Sequence, residues 1–376
     1  MSLFIGLMSG TSLDGVDGVV ARFSDDPAAH DTEVLAHAHR PFDDALRAEL
    51  LALNRSGADE IHRAALAANA LARVQAEVVR ALLSDTGLRA GAVDAIGSHG
   101  QTLRHRPGEF DGTGYTVQIN QPALLAELAG IPVVADFRSR DVAAGGQGAP
   151  LVPAFHAQVF SLPGTPRAVL NLGGIGNLTL LPAQGDPAGR VRGFDCGPGN
   201  ALLDHWVARH RGQPFDDGGS WAAGGQVHGG LLAALLAEPF LQRPPPKSTG
   251  RDLFNPGWLA DRLAPHADVP AQDVQATLAE FTARAAADAL RREAPATTDL
   301  RVCGGGALNA HLMARLAALL PGVRVGSTAE AGLPPLQVEA AAFAWLARAC
   351  LLGQAGNRPE ATGARGPRVL GAVYPA

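Results

Sequence analysis

The stretch FIGLMSGTSLDGVDGVVARF, residues 4–23, decides how the fold is read. Two apolar runs, FIGLM and VDGVVARF, flank a bend carrying Gly10 and Gly15, the hydroxyls of Ser9, Thr11 and Ser12, and the carboxylate of Asp14. A β-hairpin needs only a short loop, so this bend holds more polar capacity than a turn requires. Glycine presents its backbone N–H without obstruction, and a glycine-rich bend after a strand makes a cradle for anions, phosphate above all. The same form returns at AVLNLGGIGNLTLL, residues 168–181, where two β runs surround Gly173, Gly174 and Asn177. A third glycine cluster, Gly304, Gly305 and Gly306, follows the short strand in RVCGGGALN, residues 301–309.

Working outward, a strand is read at 32–39 and helices at 42–54 and 58–83, the second with apolar residues at helical spacing. DAIGSHGQT, residues 94–102, reads as a buried strand running into a glycine-containing loop, and strands at 116–119 and 131–137 bracket the helix PALLAEL. The loop RSRDVAAGGQGAP, residues 138–150, reads as an interdomain hinge. In the second half, VRGFDCGPGN, residues 191–200, is a strand ending in a polar bend, with Asn200 as the N-cap of a helix from residue 201. Helices follow at 274–292, after the third glycine cluster with Leu312, Leu316 and Leu319 as the apolar face, and at 338–352. The Gly/Pro-rich tail beyond shows no core pattern. Strands alternating with helices predict α/β layers in each half. The expected domains are residues 1–145, joined by the segment near 338–376, and residues 146–337.

Composition narrows the function. The 376 residues are 47% hydrophobic and 18% charged, with a formal net charge of −5. A chain of that length is expected to form two domains, and without a basic cluster it is not expected to bind nucleic acid. Cys196, Cys303 and Cys350 are far apart with no C-x-x-C, which suggests neither a disulfide framework nor a zinc site. No apolar run is long enough for a membrane span and no leader pattern opens the chain, so a cytoplasmic protein is expected. Lys247, the only lysine, follows Pro246, so no Walker A loop exists; Gly174 to Thr179 lacks the third glycine of the Rossmann fingerprint; no nucleophile elbow is present. What remains is a kinase of two similar α/β domains whose hairpin bends hold phosphates.

MSGTSLDGVD, GSHGQT, VVADFRSRDVAAGGQGAPLVPAFH, LNLGGIGNLTLL, GFDCGPGN, PKSTGRDLFN and VCGGGALN together resemble the anhydro-N-acetylmuramic acid kinase family, from Phe4 to the closing GAVYPA. The resemblance implies a two-domain ribonuclease H-like fold of the actin, hsp70 and sugar kinase superfamily, with an interdomain cleft. It implies that ATP, water and 1,6-anhydro-N-acetylmuramate give the 6-phosphate and ADP in peptidoglycan recycling, with Mg²⁺ as cofactor and a homodimer as the assembly.

Asp195 matches the family's catalytic base. Independently, a carboxylate at a strand end before a Gly-Pro-Gly bend faces the crevice where α/β ligands bind; the plainer alternative is a bend cap or an ion pair with Arg192. Gly10, Thr11, Ser12, Leu13, Asp14, Gly15, Val16 and Asp17 match the first ATP-binding segment. Asp14 and Asp17 are candidates for Mg²⁺, directly or through water, against an Asx turn for Asp14 and a solvent-facing strand position for Asp17. Gly173, Gly174 and Asn177 are expected at the γ-phosphate, and Gly304, Gly305 and Gly306 along adenosine or its phosphates. Arg138 and Arg140 could receive the substrate carboxylate or be solvated loop arginines. Glu339, on an apolar helix face, is a candidate sugar contact or a surface residue. His99 and Gln101 read as structural more readily than substrate-side, and Lys247 as a phosphate contact or a solvated lysine. Rival readings are a kinase for an ordinary sugar, which would need no water activation, and a non-catalytic ATP-binding module, which would carry an appendage this chain lacks.

Overall fold

In chain order the first half runs β1 (Ser2–Met8), β2 (Gly15–Phe23), β3 (Thr32–Pro41), α1 (Asp44–Leu53), α2 (Glu60–Thr86), β4 (Ala95–Ser98), β5 (Gln101–Pro107), β6 (Gly114–Ile119), α3 (Pro122–Ala129), β7 (Val133–Ala135), α4 (Ser139–Ala143) and α5 (Val152–Phe160). The second half continues β8 (Arg167–Leu172), β9 (Ile175–Leu181), β10 (Arg192–Pro198), α6 (Ala201–Arg211), α7 (Ser220–Ala223), α8 (Gly229–Leu236), α9 (Pro256–Leu263), α10 (Ala271–Glu293), β11 (Asp299–Cys303), α11 (Ala310–Leu319) and β12 (Arg324–Ser327). The chain closes with α12 (Val338–Leu351), α13 (Pro359–Thr362) and β13 (Ala372–Tyr374). This computed structural model describes residues 1–10, 12–25, 32–186, 189–250 and 253–376. Thr11, read above as part of the first ATP-binding segment, lies outside the described residues.

The structure divides into two units, Met1–Val159 with Gln337–Ala376, and Phe160–Leu336. The sheet of the first has the order β13-β7-β4-β1-β2-β3, and that of the second β10-β9-β8-β11-β12. Each is built alike: a long hairpin, β1–β2 or β8–β9, an antiparallel third strand on its outer side, and parallel strands on the other, β4 and β7 in one unit, β11 and β12 in its counterpart. This repeated order is that of the ribonuclease H-like fold, and the two hairpins are those on which the sequence reading rests.

The first sheet is covered on one face by α1, α2 and α3, where Ile5, Leu7, Val16 and Val20 meet Leu50, Leu71, Val78 and Leu82 in one apolar cluster. On its other face α12 lies almost against the strands. A Cβ at Gly6 would fall on the carbonyl oxygen of Ala340, and one at Gly97 on that of Phe343. Helix α12 is buried nearly all round, from Val338 to Ala349, which explains its near-continuous apolar sequence. In the second unit α10 and α11 pack on one face of the sheet through Ala283, Ala287, Leu290, Leu312 and Leu316, and Leu319 packs partly buried beside them.

Three expectations change. The break between the units falls at 159/160, not at 145/146, and the segment 138–150 lies inside the first unit. Its anchor is Asp141, fully buried, whose carboxylate accepts from Gly148 N at 2.8 Å, Asn357 Nδ2 at 2.6 Å and Thr362 Oγ1 at 2.8 Å. The tail is therefore part of the first core, with Asn357, Thr362 and Leu370 buried and β13 paired to β7, although its polar sequence hides this. Strand β5, read as loop, pairs with β6 in a two-stranded hairpin. No helix among the described residues is long and apolar enough to cross a membrane.

Gly6→Ala should destabilise the protein by about 3 kcal/mol, because the clash is with helix backbone that cannot rotate away. Gly91→Ala, where a Cβ meets nothing within 4 Å, should stay within about 0.5 kcal/mol. Urea unfolding of the two variants measures the contrast.

Candidate active site

The first bend joins β1 to β2 with Met8 opposite Asp17. Leu13 sits at φ 57 with its side chain buried in the core, a left-handed conformation costing about 1 kcal/mol or more for a non-glycine residue. Its N–H closes a turn on the Gly10 carbonyl at 3.3 Å, and Phe42 N–H holds the Asp14 carbonyl at 3.1 Å. Gly10 itself has no positive φ, and a Cβ there would meet nothing among the described residues nearer than Ser12 Oγ at 3.6 Å. Neither backbone nor packing demands its glycine, so the open space lies on the outer side of the bend. Asp14 is exposed and accepts from Ser12 Oγ at 2.8 Å. Asp17 instead turns to β3, where its Oδ1 lies 3.1 Å from His37 Nε2 and 3.2 Å from His39 Nδ1.

In the second unit four strand ends converge. The bend Gly173–Gly174 accepts backbone N–H groups from Gly199, Asn200 and Ala201 at 2.8–3.1 Å. Asn200 makes no side-chain cap on α6; its Nδ2 donates to the Leu172 carbonyl at 2.9 Å, because the preceding bend offers that acceptor. Gly304, at φ 77, and Gly306 press against Asn171 and Leu172, where any Cβ would collide. The third glycine cluster therefore abuts the base of the second bend. At Gly173 a Cβ would meet nothing within 4 Å among the described residues, again leaving space on the open side.

Asp195 lies at the middle of β10, not at a strand end as its sequence suggested, because the strand runs on through the Gly-Pro to Pro198; it stands beside a register shift, opposite Asn177, and Asn177 stands opposite Asn171. These three side chains alternate away from Phe194, Leu178 and Leu170, which face α10 and α11. They form one polar row across β10, β9 and β8. Asn171, buried, and Asn177 each have an amide oxygen with no hydrogen-bond partner among the described residues. Such an atom costs about 1–3 kcal/mol unless a partner is supplied. Asp195 Oδ2 accepts from Thr249 N–H at 2.8 Å, and its own N–H donates to the Lys247 carbonyl at 3.1 Å. Arg192 pairs with Glu293 at 3.2 Å, not with Asp195. Lys247 donates to the carbonyls of Phe240 and Leu241 at 3.1 and 3.0 Å and rides over the Phe240 ring, with its pKa lowered first by burial and then by Arg292. Burial, and then the Asp195 charge, push the Cys196 thiol up to about 12, which removes it as a nucleophile.

On the first unit, Arg138 is held by His99 and by its own segment. Its Nε and one NH2 lie 3.1 and 2.9 Å from His99 Nε2, and the other NH2 donates to the Gly148 carbonyl at 2.8 Å. The imidazole must accept there, so His99 is neutral with its proton on Nδ1. Burial and then the Arg138 charge lower its pKa to about 3, and the same two causes lower His105 to about 4. Arg140 is exposed on α4, and Glu339 is half-buried in the first turn of α12. Asn171 falls within LNLGGIGNLTLL, residues 170–181, but only strand register sets it in line with Asn177 and Asp195. No group of three or more His, Cys, Asp or Glu residues placed to hold a metal occurs among the described residues.

A sequence profile described as Anhydro-N-acetylmuramic acid kinase matches residues 2–376. A protein of that name from Variovorax paradoxus is 64% identical over 100% of this chain and 99% of the relative. Another from Chromobacterium violaceum is 56% identical over 99% of each chain. Among solved structures, an activator of the 2-hydroxyisocaproyl-CoA dehydratase from Clostridium difficile aligns over 91% of this chain and 92% of its own at 13% identity, with a TM-score of 0.48.

Folded His99 and His105 stay neutral down to about pH 3 and 4, whereas the unfolded chain protonates its histidines near pH ~6.5. The unfolded state then binds more protons, so stability is complete above pH ~6.5 and falls on acidification towards the folded values. His99→Gln, which keeps an acceptor for Arg138, should flatten the stability–pH slope below pH ~6.5 by up to about 1.4 kcal/mol per pH unit. Urea unfolding of both proteins at stepped pH reads this out.

Proposed function

The chain belongs to the anhydro-N-acetylmuramic acid kinase family, and from that premise we propose how its residues divide the reaction. The protein is a kinase that uses ATP to phosphorylate the anhydro sugar in cell-wall recycling. Water adds to the anomeric carbon, the bond from that carbon to the carbon-6 oxygen breaks, and the freed oxygen takes the γ-phosphoryl group as ADP leaves. Asp195 takes the proton from the attacking water. Positioned base catalysis of this kind contributes about 10²–10⁴ in rate.

What supports the assignment is the polar row. Asp195 stands beside a register shift in β10, in line with two amides whose oxygens have no partner among the described residues. The bends Gly10–Asp17 and Gly173–Asn177 bind phosphate through backbone N–H groups, and Gly304–Gly306 supports the nucleotide beside the second bend. Their glycines separate into two kinds: Gly304 and Gly306 are required by packing, whereas Gly10 and Gly173 keep their outer faces open. For Mg²⁺, Asp14 fits, being exposed at the bend, whereas Asp17 does not, because His37 and His39 hold its carboxylate. Asp14 would hold the ion through water, and the ion when bound supplies neutralisation of phosphate charge. Arg138 is fixed in place to face the acidic substrate, with Arg140 and Glu339 as further sugar contacts. The protein acts in the cytoplasm, as a homodimer.

Asp195→Asn should retain ATP binding and lose about a thousandfold in turnover; near-normal turnover would remove Asp195 from the role. The parent enzyme in ¹⁸O-water should place label at carbon 1 and phosphate at carbon 6 of one product, read by mass spectrometry.

A further inference from the structure

We infer that Gln101 is the positioning residue of the first bend, holding the Gly10 carbonyl in the conformation that binds the triphosphate. This rests on the reading that Gly10–Asp17 holds the nucleotide. Gln101 begins β5, just beyond the end of β4, and is 1% exposed. Its single planar amide engages two consecutive residues of the bend, 91 and 92 positions away. Oε1 accepts from the Ser9 hydroxyl, and Nε2 donates to the Gly10 carbonyl at 3.2 Å.

The Gly10 carbonyl is the hub of the bend, because it also accepts the Leu13 N–H that closes the turn. Leu13 is the residue kept in the left-handed region. A turn strained at a non-glycine position persists only where its surroundings over-determine it. Here two anchors do so: the buried Leu13 side chain on one side and the Gln101 amide on the other. Ser9 is itself buried at 2% exposed, so its hydroxyl and the Gly10 carbonyl lose their side-chain partner together if the amide is lost. The bend would then relax, and nucleotide would have to order it on binding, which lowers affinity by the fraction of molecules in the competent state. Gln101 touches no reacting atom in this account; it acts through the Gly10 peptide.

The test uses the full-length protein and three variants, with calorimetric binding of a non-hydrolysable ATP analogue and steady-state kinetics. Gln101→Met keeps the volume and removes both hydrogen bonds. Gln101→Glu keeps an acceptor for Ser9 but sets an oxygen against the Gly10 carbonyl. Both should weaken the analogue and raise KM for ATP about tenfold, with kcat changed less than KM and KM for the sugar within about twofold of the parent. A merely structural role would lower the melting temperature and leave KM for ATP in the folded protein unchanged. That result, or analogue binding within about twofold of the parent in Gln101→Glu, overturns the inference. Gly10→Val separates the two levels, since its Cβ would stand on the open side of the bend, with nothing among the described residues nearer than Ser12 Oγ at 3.6 Å. If it loses nucleotide while both Gln101 variants bind normally, only the role of Gln101 fails. If it too binds normally, the bend does not hold nucleotide and both readings fall.

Discussion

The close approach of α12 to the first sheet is the constraint on which the loops of the first unit depend. Helix backbone occupies the space where side chains at residues 6 and 97 would stand. Those residues lie in β1 and β4, paired in parallel register with Gly6 beside Gly97. At the ends of these two strands hang the first glycine bend and the His99–Gln101 segment. Such contacts pack at the density of a molecular crystal and transmit small displacements. A helix held a few tenths of an ångström further out would shift both loops together. The glycines thus serve the site at a distance, through the placement of two strand ends.

The two units share one plan and secure it differently. In the first, the bend is tethered from outside its hairpin by an amide from the segment after β4. In the second, the bend is gripped by backbone N–H groups from residues 199–201, with Asn200 adding one amide bond to Leu172. The charges are managed in the same spirit. Arg138 is presented to a neutral histidine, since burial beside a cation leaves His99 no energy for a proton. Asp195 accepts the backbone N–H of Thr249 through Oδ2, and its own N–H is held by the Lys247 carbonyl.

Much of the architecture was legible because hairpins and helices are local. The runs of residues 4–23 and 168–181 declared themselves by alternation around glycine, and the helices at 58–83, 274–292 and 338–352 by period. The three glycine clusters were visible as composition. Less visible was anything made by a side chain crossing a long interval. Asp141 reaches Asn357 and Thr362 more than two hundred residues on, so a segment that reads as a hinge is an anchor, and a tail that reads as loose is core. Asn200 looked like a helix cap because its position fits one; the neighbouring carbonyl of Leu172 competes for it and wins.

The sequence by itself determined the fold class, the family, and the identity of the bends, because these depend on local periodicity, on glycine's missing side chain and on long motifs. It could not rank Asp14 against Asp17, since both are carboxylates within three residues of each other. Tertiary structure separates their surroundings, by bringing His37 and His39 from the next strand onto Asp17 while Asp14 stays exposed. It decided likewise that Gln101 belongs to the bend and that Asn171 stands in line with Asp195. Strand register across a sheet fixes which side chains share a face, and no single segment of chain contains that information.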